Sequence, residues 1–513
     1  MSKPLPLQNQ FTGGMRRDSP RNRMPPNSAW TLKDFILEYG APARERGGWA
    51  HYSSNIGSIT AASASYIRGG IYAIFSPTAG SSAKNLCVDE DGKLFSVTEG
   101  AASLIGTAVT VAQNPVFHGG TSVSAATAVY TGLVIIPDGT GAAVPKKYDG
   151  TTLADLNGSP PKGRYASVFK DYTTLANGTV SSIQYPNRLW FSPAGDPDCF
   201  GTASVTAWDT TDSWWDFSLP IRGLASTKNA LLVFGDGQVA RLRGSTPPPD
   251  TDMVVDDPWQ KVGMLDPFSI TVHQDVVYWC APEGVFRSDG VYLDELSAKG
   301  GMLRYWLDLT ADATSTWTFA TGVIRNKLVI NVMDGSTFKD AFMIDLQSYA
   351  WTQITNLDAV SFWDGLYGVS DETYFGRRGG AYVGRLGTMF DVGVSTYKND
   401  GDGDAVVSVL ETPFYELGRP GLKAVKDLYV GYMLQDFASD NPTISVSYID
   451  TPEATSYTSM GTLSENTTYD RKKIRLGGRR WGVGFKFTRA NAGDFLGYDL
   501  SADVTYLEES KLL

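Results

Sequence analysis

A chain of 513 residues with a net charge of −11 and 42% hydrophobic residues can bury large cores, and its acidic balance disfavours nucleic acid as a general partner. With 54 glycines, 12% aromatics and only 19% charged residues, it is too poor in helix formers for a helical bundle and suits twisted sheets joined by tight turns. No apolar run approaches the roughly 20 residues that span a bilayer, and Cys87, Cys199 and Cys280 are too few, too far apart and odd in number for a disulfide framework.

The first 30 residues read as an extended arm. The stretch "FTGGMRRDSPRNRMPPNSAW", Phe11 to Trp30, holds Arg16, Arg17, Arg21 and Arg23 and almost nothing to put in a core. Pro20, Pro25 and Pro26 keep it extended and reduce the entropy lost on docking. Too polar to fold alone, it is expected to order against another chain. No apolar stretch follows the N-terminal charges, so no secretory signal is visible, and synthesis in a cytoplasm is expected.

From Trp30 the texture changes to short apolar runs separated by turn signals. Turns are expected at Asp91-Gly92, Asp138-Gly139, Asp149-Gly150, Asp236-Gly237, Glu283-Gly284, Asp289-Gly290, Asp334-Gly335 and Gly379-Gly380. Asp-Gly between hydrophobic runs marks a hairpin because the tight turn needs positive φ. These units return at roughly 40–50 residues, the spacing of propeller blades. The expectation is a degenerate β-propeller over residues 31–396, with about seven or eight blades.

Residues 397–405, "YKNDGDGDA", are polar and Gly-rich and read as a linker that contributes nothing to a core. Beyond it, residues 406–513 show cleaner alternation, as in Ile444, Val446 and Tyr448, and are expected to form a C-terminal antiparallel β-sandwich. Within this part "RKKIRLGGRR" makes a basic island with Arg471, Lys472, Arg479 and Arg480. Such an island is a solvated face or a dock for acidic groups.

Catalytic motifs are missing: there is no HExxH, GxSxG, Walker A loop or GxGxxG after a strand. His51, His118 and His273 stand apart, which leaves little for a triad or a histidine metal site. Asp400, Asp402, Asp404 and Glu411 have the 1, 3, 5, 12 spacing of a calcium loop, but Ala405 stands where that loop needs glycine. A solvated interdomain turn is the better reading, and no metal or other cofactor is expected. "DTTDSWWDF" and "SFWDGLYG" set Trp beside Asp, which suits sugar stacking but suits a blade core better. Paired carboxylates for glycoside hydrolysis need only a separation in space and leave no motif.

Several segments together resemble the β-propeller tail proteins of tailed bacteriophages, a group of nozzle, portal-plugging hub and minor tail proteins. They are "FTGGMRRDSP", "ARERGGW", "NRLWFSPAGDPDCF", "IRGLASTKNALLVFGDGQVARLRG", "GMLDPFSI", "GVFRSDGVYLDELS" and "GLKAVKDLYVGY". The resemblance covers most of the chain in pattern and order, and none of the segments is catalytic. It implies a virion structural protein, not an enzyme, placed in the tail and made in the host cytoplasm. It further implies rings, commonly sixfold, around a DNA channel, in contact with adjoining virion proteins. The arm arginines Arg16, Arg17, Arg21 and Arg23 and the island Arg471, Lys472, Arg479 and Arg480 are then expected at subunit interfaces. Negative walls would let DNA pass without sequence-specific binding. The alternatives are a tail-tip receptor- or glycan-binding protein and a propeller glycosidase.

Overall fold

The computed structural model describes residues 5–9, 11–38, 43–56, 66–75, 83–110, 113–122, 130–199, 207–367, 370–378, 381–390, 400–401, 406–416, 423–435, 443–464, 466–475, 479–480, 482–489 and 494–506. For 5–9, 119–122, 130–131, 423–426, 431–435, 466–472, 479–480 and 494–506 only the main chain is described.

Tight turns set the basic unit. Gly92, Gly237, Gly290 and Gly335 all take positive φ, and each follows an aspartate. The strands they join pair antiparallel, as Leu231–Gly235 does with Gln238–Arg243. Asp138-Gly139 instead opens a longer loop, in which the buried Asp138 carboxylate accepts from the amides of Thr110 and Ala143. The Gly379-Gly380 turn lies outside the described residues.

The chain is all-β in a β-propeller arrangement. Four-stranded antiparallel sheets form over 67–107, 116–155, 162–216, 223–260 and 270–295. A further one joins Ala359–Tyr367, Ser370–Arg377 and Val383–Arg385 to Ala50–His51, so a strand from the start of the chain supplies its outer edge. Another four-stranded run, 317–353, is the first part of a nine-stranded sheet. The first strands of these units neighbour one another in chain order, and Ala359–Tyr367 neighbours Ile67–Ile74, which closes the circle. Buried clusters sit between adjacent sheets. One holds Leu86 and Val88 with Val134 and Ile136, and another joins Ile67 and Phe95 to Trp363 and Tyr374 across the closure.

The strands after residue 406 do not stand apart from the propeller. Thr31–Lys33 pairs parallel with Trp351–Gln353 on one side and antiparallel with Ser408–Glu411 on the other. The sheet then continues through Gly484–Arg489, Thr443–Ile449 and Thr458–Ser464. A second, seven-stranded sheet combines Lys423–Gln435, Asn466–Arg475, Arg479–Arg480 and Asp494–Tyr506 with Leu5–Asn9, Phe35–Ile36 and Arg44–Glu45. Both sheets feed one buried cluster, which includes Leu428, Ile474, Val446 and Phe487 with Trp306 and Trp351. Between the 270–295 and 317–353 units lie the short helices Leu296–Lys299 and Leu303–Ala311, whose Leu296 and Trp306 join that cluster.

Residues 400–401 correct the reading of 397–405 as a segment outside the core. Asp400 is 2% exposed, and a Cβ at Gly401 would come 2.3 Å from the Trp49 ring. The physical reason is Arg46, which neutralises the aspartate and makes its burial tolerable.

Candidate functional site

The polar segment from Phe11 to Trp30 runs along its own chain. The Met15 amide donates to the Trp351 carbonyl at 2.7 Å, Arg16 to Ala29 at 3.1 Å and Arg17 to Gly301 at 2.9 Å. Phe11, Met15, Met24 and Ala29 are buried, and all of these but Met24 join the cluster around Trp306 and Trp351. The segment therefore does contribute to a core. Its apolar side chains are too sparse to pack on one another, yet each finds a slot in a surface that the rest of the chain builds.

The four arm arginines are placed very differently. Arg21 is 4% exposed. Its Nε donates to the Thr412 carbonyl at 2.9 Å and its Nη1 to the Tyr457 hydroxyl at 2.7 Å. Its own carbonyl accepts from the Phe414 amide at 3.0 Å. Arg17 lies over the Trp30 ring at 4.3 Å and donates to the Thr31 hydroxyl at 3.0 Å. That hydroxyl donates in turn to Glu411 at 2.8 Å. Burial pulls the Arg17 guanidinium below the usual arginine range. Arg16 packs over Gly301, where a Cβ would come 2.2 Å from its Nε. Arg23 alone of the four is exposed, in the short turn Arg21–Arg23.

Arg17, Arg21, Trp30, Glu411 and Tyr457 line a recess of about 560 Å³ between the arm and the C-terminal strands. Arg17 Nε and Arg21 Nη2 are buried there without a hydrogen-bond partner among the described residues. Glu411 and Glu453 line the same recess, so this seam carries both signs of charge. Sequence alone did not reveal Thr412 and Tyr457 as partners, since they lie 391 and 436 residues from Arg21.

The basic island sits on the edge of the seven-stranded sheet. Arg471 and Lys472 pair by register with Gly431 and Val430, and Arg479 and Arg480 with Ala424 and Lys423. Their side chains lie outside the described residues. Charged residues on an edge strand discourage a further strand from adding there.

Of the calcium-loop set, Asp400 and Glu411 are among the described residues. Asp400 accepts from Arg46 Nη1 at 2.8 Å and Nη2 at 3.1 Å. Glu411 sits in Ser408–Glu411 and takes Thr31 and Lys486 as partners. Burial works against its charge, but these partners hold its pKa below the usual glutamate value. Asp402 and Asp404 lie outside the described residues. Among the described residues no group of three or more His, Cys, Asp or Glu could hold a metal. The histidines remain separate: His118 is buried against Thr173, His51 lies tilted at 44° against the Tyr382 ring, and His273 meets Asp364 at 3.1 Å. No helix of the described residues is long and apolar enough to cross a membrane.

No protein-family model matches this chain, and no curated protein does. Among solved structures it is similar to BBS1N in a complex with ARL6DN soaked with lead, at 12% identity and a TM-score of 0.38, covering 66% of this chain and 98% of that one. A similarity of that size bears on neither mechanism nor partner.

Proposed function

We propose that this chain is a structural, non-enzymatic component of a tailed-bacteriophage virion, part of the tail around the DNA channel. It acts there as a ring of copies, sixfold in the simplest case, in contact with adjoining virion proteins. The observation that carries the reading is the strand Thr31–Lys33, hydrogen-bonded to the propeller on one side and to the C-terminal strands on the other. Main-chain continuity of this kind suits a part that transmits load, because the two halves cannot separate without breaking a sheet. In this reading the run 317–353 counts as a seventh blade, and the two C-terminal sheets face each other as a sandwich. The segment order that resembles propeller tail proteins supports the same conclusion.

The exposed Arg23 and the edge-strand residues Arg471, Lys472, Arg479 and Arg480 are the interface candidates, while Arg21 acts within the chain. The net charge of −11 lets DNA pass without sequence-specific contact. Synthesis is in the host cytoplasm. Immunogold electron microscopy of purified particles, with antibody raised against this chain, tests the proposal. Gold on the tail is the expected result, and particles that stay unlabelled before and after partial disruption would overturn it.

A further inference from the structure

The first strands of the propeller units surround an axial cavity of about 470 Å³. Its wall is built by residues 70–72, 113–117, 165–168, 223–226, 270–272 and 362–364, each from a different unit or the segment leading into it. A cavity of this size, set where several elements converge, is the ordinary dimension of a small-molecule site.

Charge narrows the ligand. Asp364 is the one carboxylate on the described wall, and its Oδ2 lies 3.1 Å from His273 Nδ1. That hydrogen bond raises the imidazole pKa against the effect of burial. No lysine or arginine lines the described wall to hold an anion, and Asp364 already faces His273. The rest of the wall is neutral. Gln113, Asn114 and Thr271 offer donors and acceptors, the Ser167 hydroxyl donates to Ser226 and that of Ser226 to the Val168 carbonyl, and Tyr72 and Tyr165 offer aromatic faces. Mixed donors and acceptors beside aromatic surface are what a ring of hydroxyl groups requires.

We propose that the axial cavity is a binding site for a neutral saccharide of one or two rings. Asp364 accepts from sugar hydroxyls, and the tyrosines pack against the ring faces. Binding and not cleavage follows from the single wall carboxylate, because glycoside hydrolysis uses two carboxyl groups across the scissile bond. The proposal deepens the glycan-binding alternative raised by the sequence. Because it concerns binding in solution, it stands or falls separately from the place of the protein in a particle.

The test is saturation-transfer NMR and calorimetry on the full chain with glucose, galactose, N-acetylglucosamine, maltose and cellobiose. Glucuronate and spermidine serve as charged comparators. At least one neutral sugar should bind, with a Kd on the order of 1 mM. Asp364→Asn should weaken that binding about tenfold, as expected when a charged acceptor of a hydroxyl is replaced by a neutral one. Val272→Trp, which fills the cavity from an exposed wall position, should abolish it, and Asp212→Asn on the outer surface should not change it. Failure of all five sugars would overturn the proposal. So would binding of glucuronate or spermidine alone, or sugar binding that both wall variants retain.

Discussion

Arg46 and Asp400, 354 residues apart, form a buried two-point ion pair, with Nη1–Oδ1 at 2.8 Å and Nη2–Oδ2 at 3.1 Å. The remaining face of the guanidinium donates from Nε to Asp34 at 2.7 Å. Burial works against this charge, and Asp400 with Asp34 outweighs it and holds the arginine pKa up. The pair fastens the start of the propeller to the residues that follow its last sheet.

Removing Asp400 leaves Arg46 paired with Asp34 but strips two hydrogen bonds from the buried guanidinium. Asp400→Ala is expected to cost about 2–4 kcal/mol, for two charge-assisted hydrogen bonds lost at a buried site. The urea midpoint should fall without a change in m-value. A loss under about 0.5 kcal/mol, as at an ordinary surface site, would show that Arg46 does not need Asp400.

Calcium should not stabilise the protein, because Arg46 already engages Asp400. Melting with millimolar calcium and with chelator should give the same midpoint, since only a ligand that binds the folded state raises it. A calcium-dependent rise lost in Asp404→Asn would restore the metal site.

The arm arginines should separate by position. Arg21→Ala removes bonds to Thr412 and Tyr457 at a buried site and should cost about 2–4 kcal/mol. Arg23→Ala at an exposed site should stay within about 0.5 kcal/mol. Limited proteolysis should show faster cleavage in the arm only for the Arg21 variant. Equal stability of the two variants would contradict the seam.

Asp89 should make stability depend on pH. It is fully buried, and burial pushes its carboxyl up to about 6 against a hydrogen bond from the Lys93 amide. A carboxyl with a raised folded pKa holds its proton more tightly in the fold than in the unfolded chain. Its stabilising contribution is complete below the unfolded value of about 4 and is lost as pH rises through about 6. Asp89→Asn should therefore stabilise the protein at pH 8 by on the order of 1–3 kcal/mol relative to pH 4. Parallel unfolding curves for wild type and variant at both pH values would refute this.

Thiol reactivity should be confined to one cysteine. Cys87 and Cys280 are buried and pushed well above the usual thiol range, whereas Cys199 is half-buried and pushed up to about 11. A disulfide reagent at pH 8 should modify Cys199 slowly in the native protein and all three cysteines after unfolding. Rapid labelling of Cys87 in the folded state would contradict the packing.

Turn chemistry made the sheet content legible in the sequence. Asp91-Gly92, Asp236-Gly237, Asp289-Gly290 and Asp334-Gly335 need only their own φ preferences and the apolar runs beside them. Other hairpins carry no such mark. Gln274-Asp275 and Arg325-Asn326 take positive φ without glycine, because the paired strands on either side hold a turn that local preference would not select.

What the sequence by itself determined is local: alternation, turns, acidic balance and a polar arm that cannot fold alone. Only the tertiary structure decided where distant pieces meet. Ala50–His51 completes the sheet that contains Val383–Arg385, Thr31–Lys33 lies between Trp351–Gln353 and Ser408–Glu411, and Asp400 goes inside because Arg46 is there. An aspartate in a glycine-rich stretch reads as solvated until its cation is in view. Burial of a charge depends on a partner, and sequence proximity says nothing about a partner hundreds of residues away.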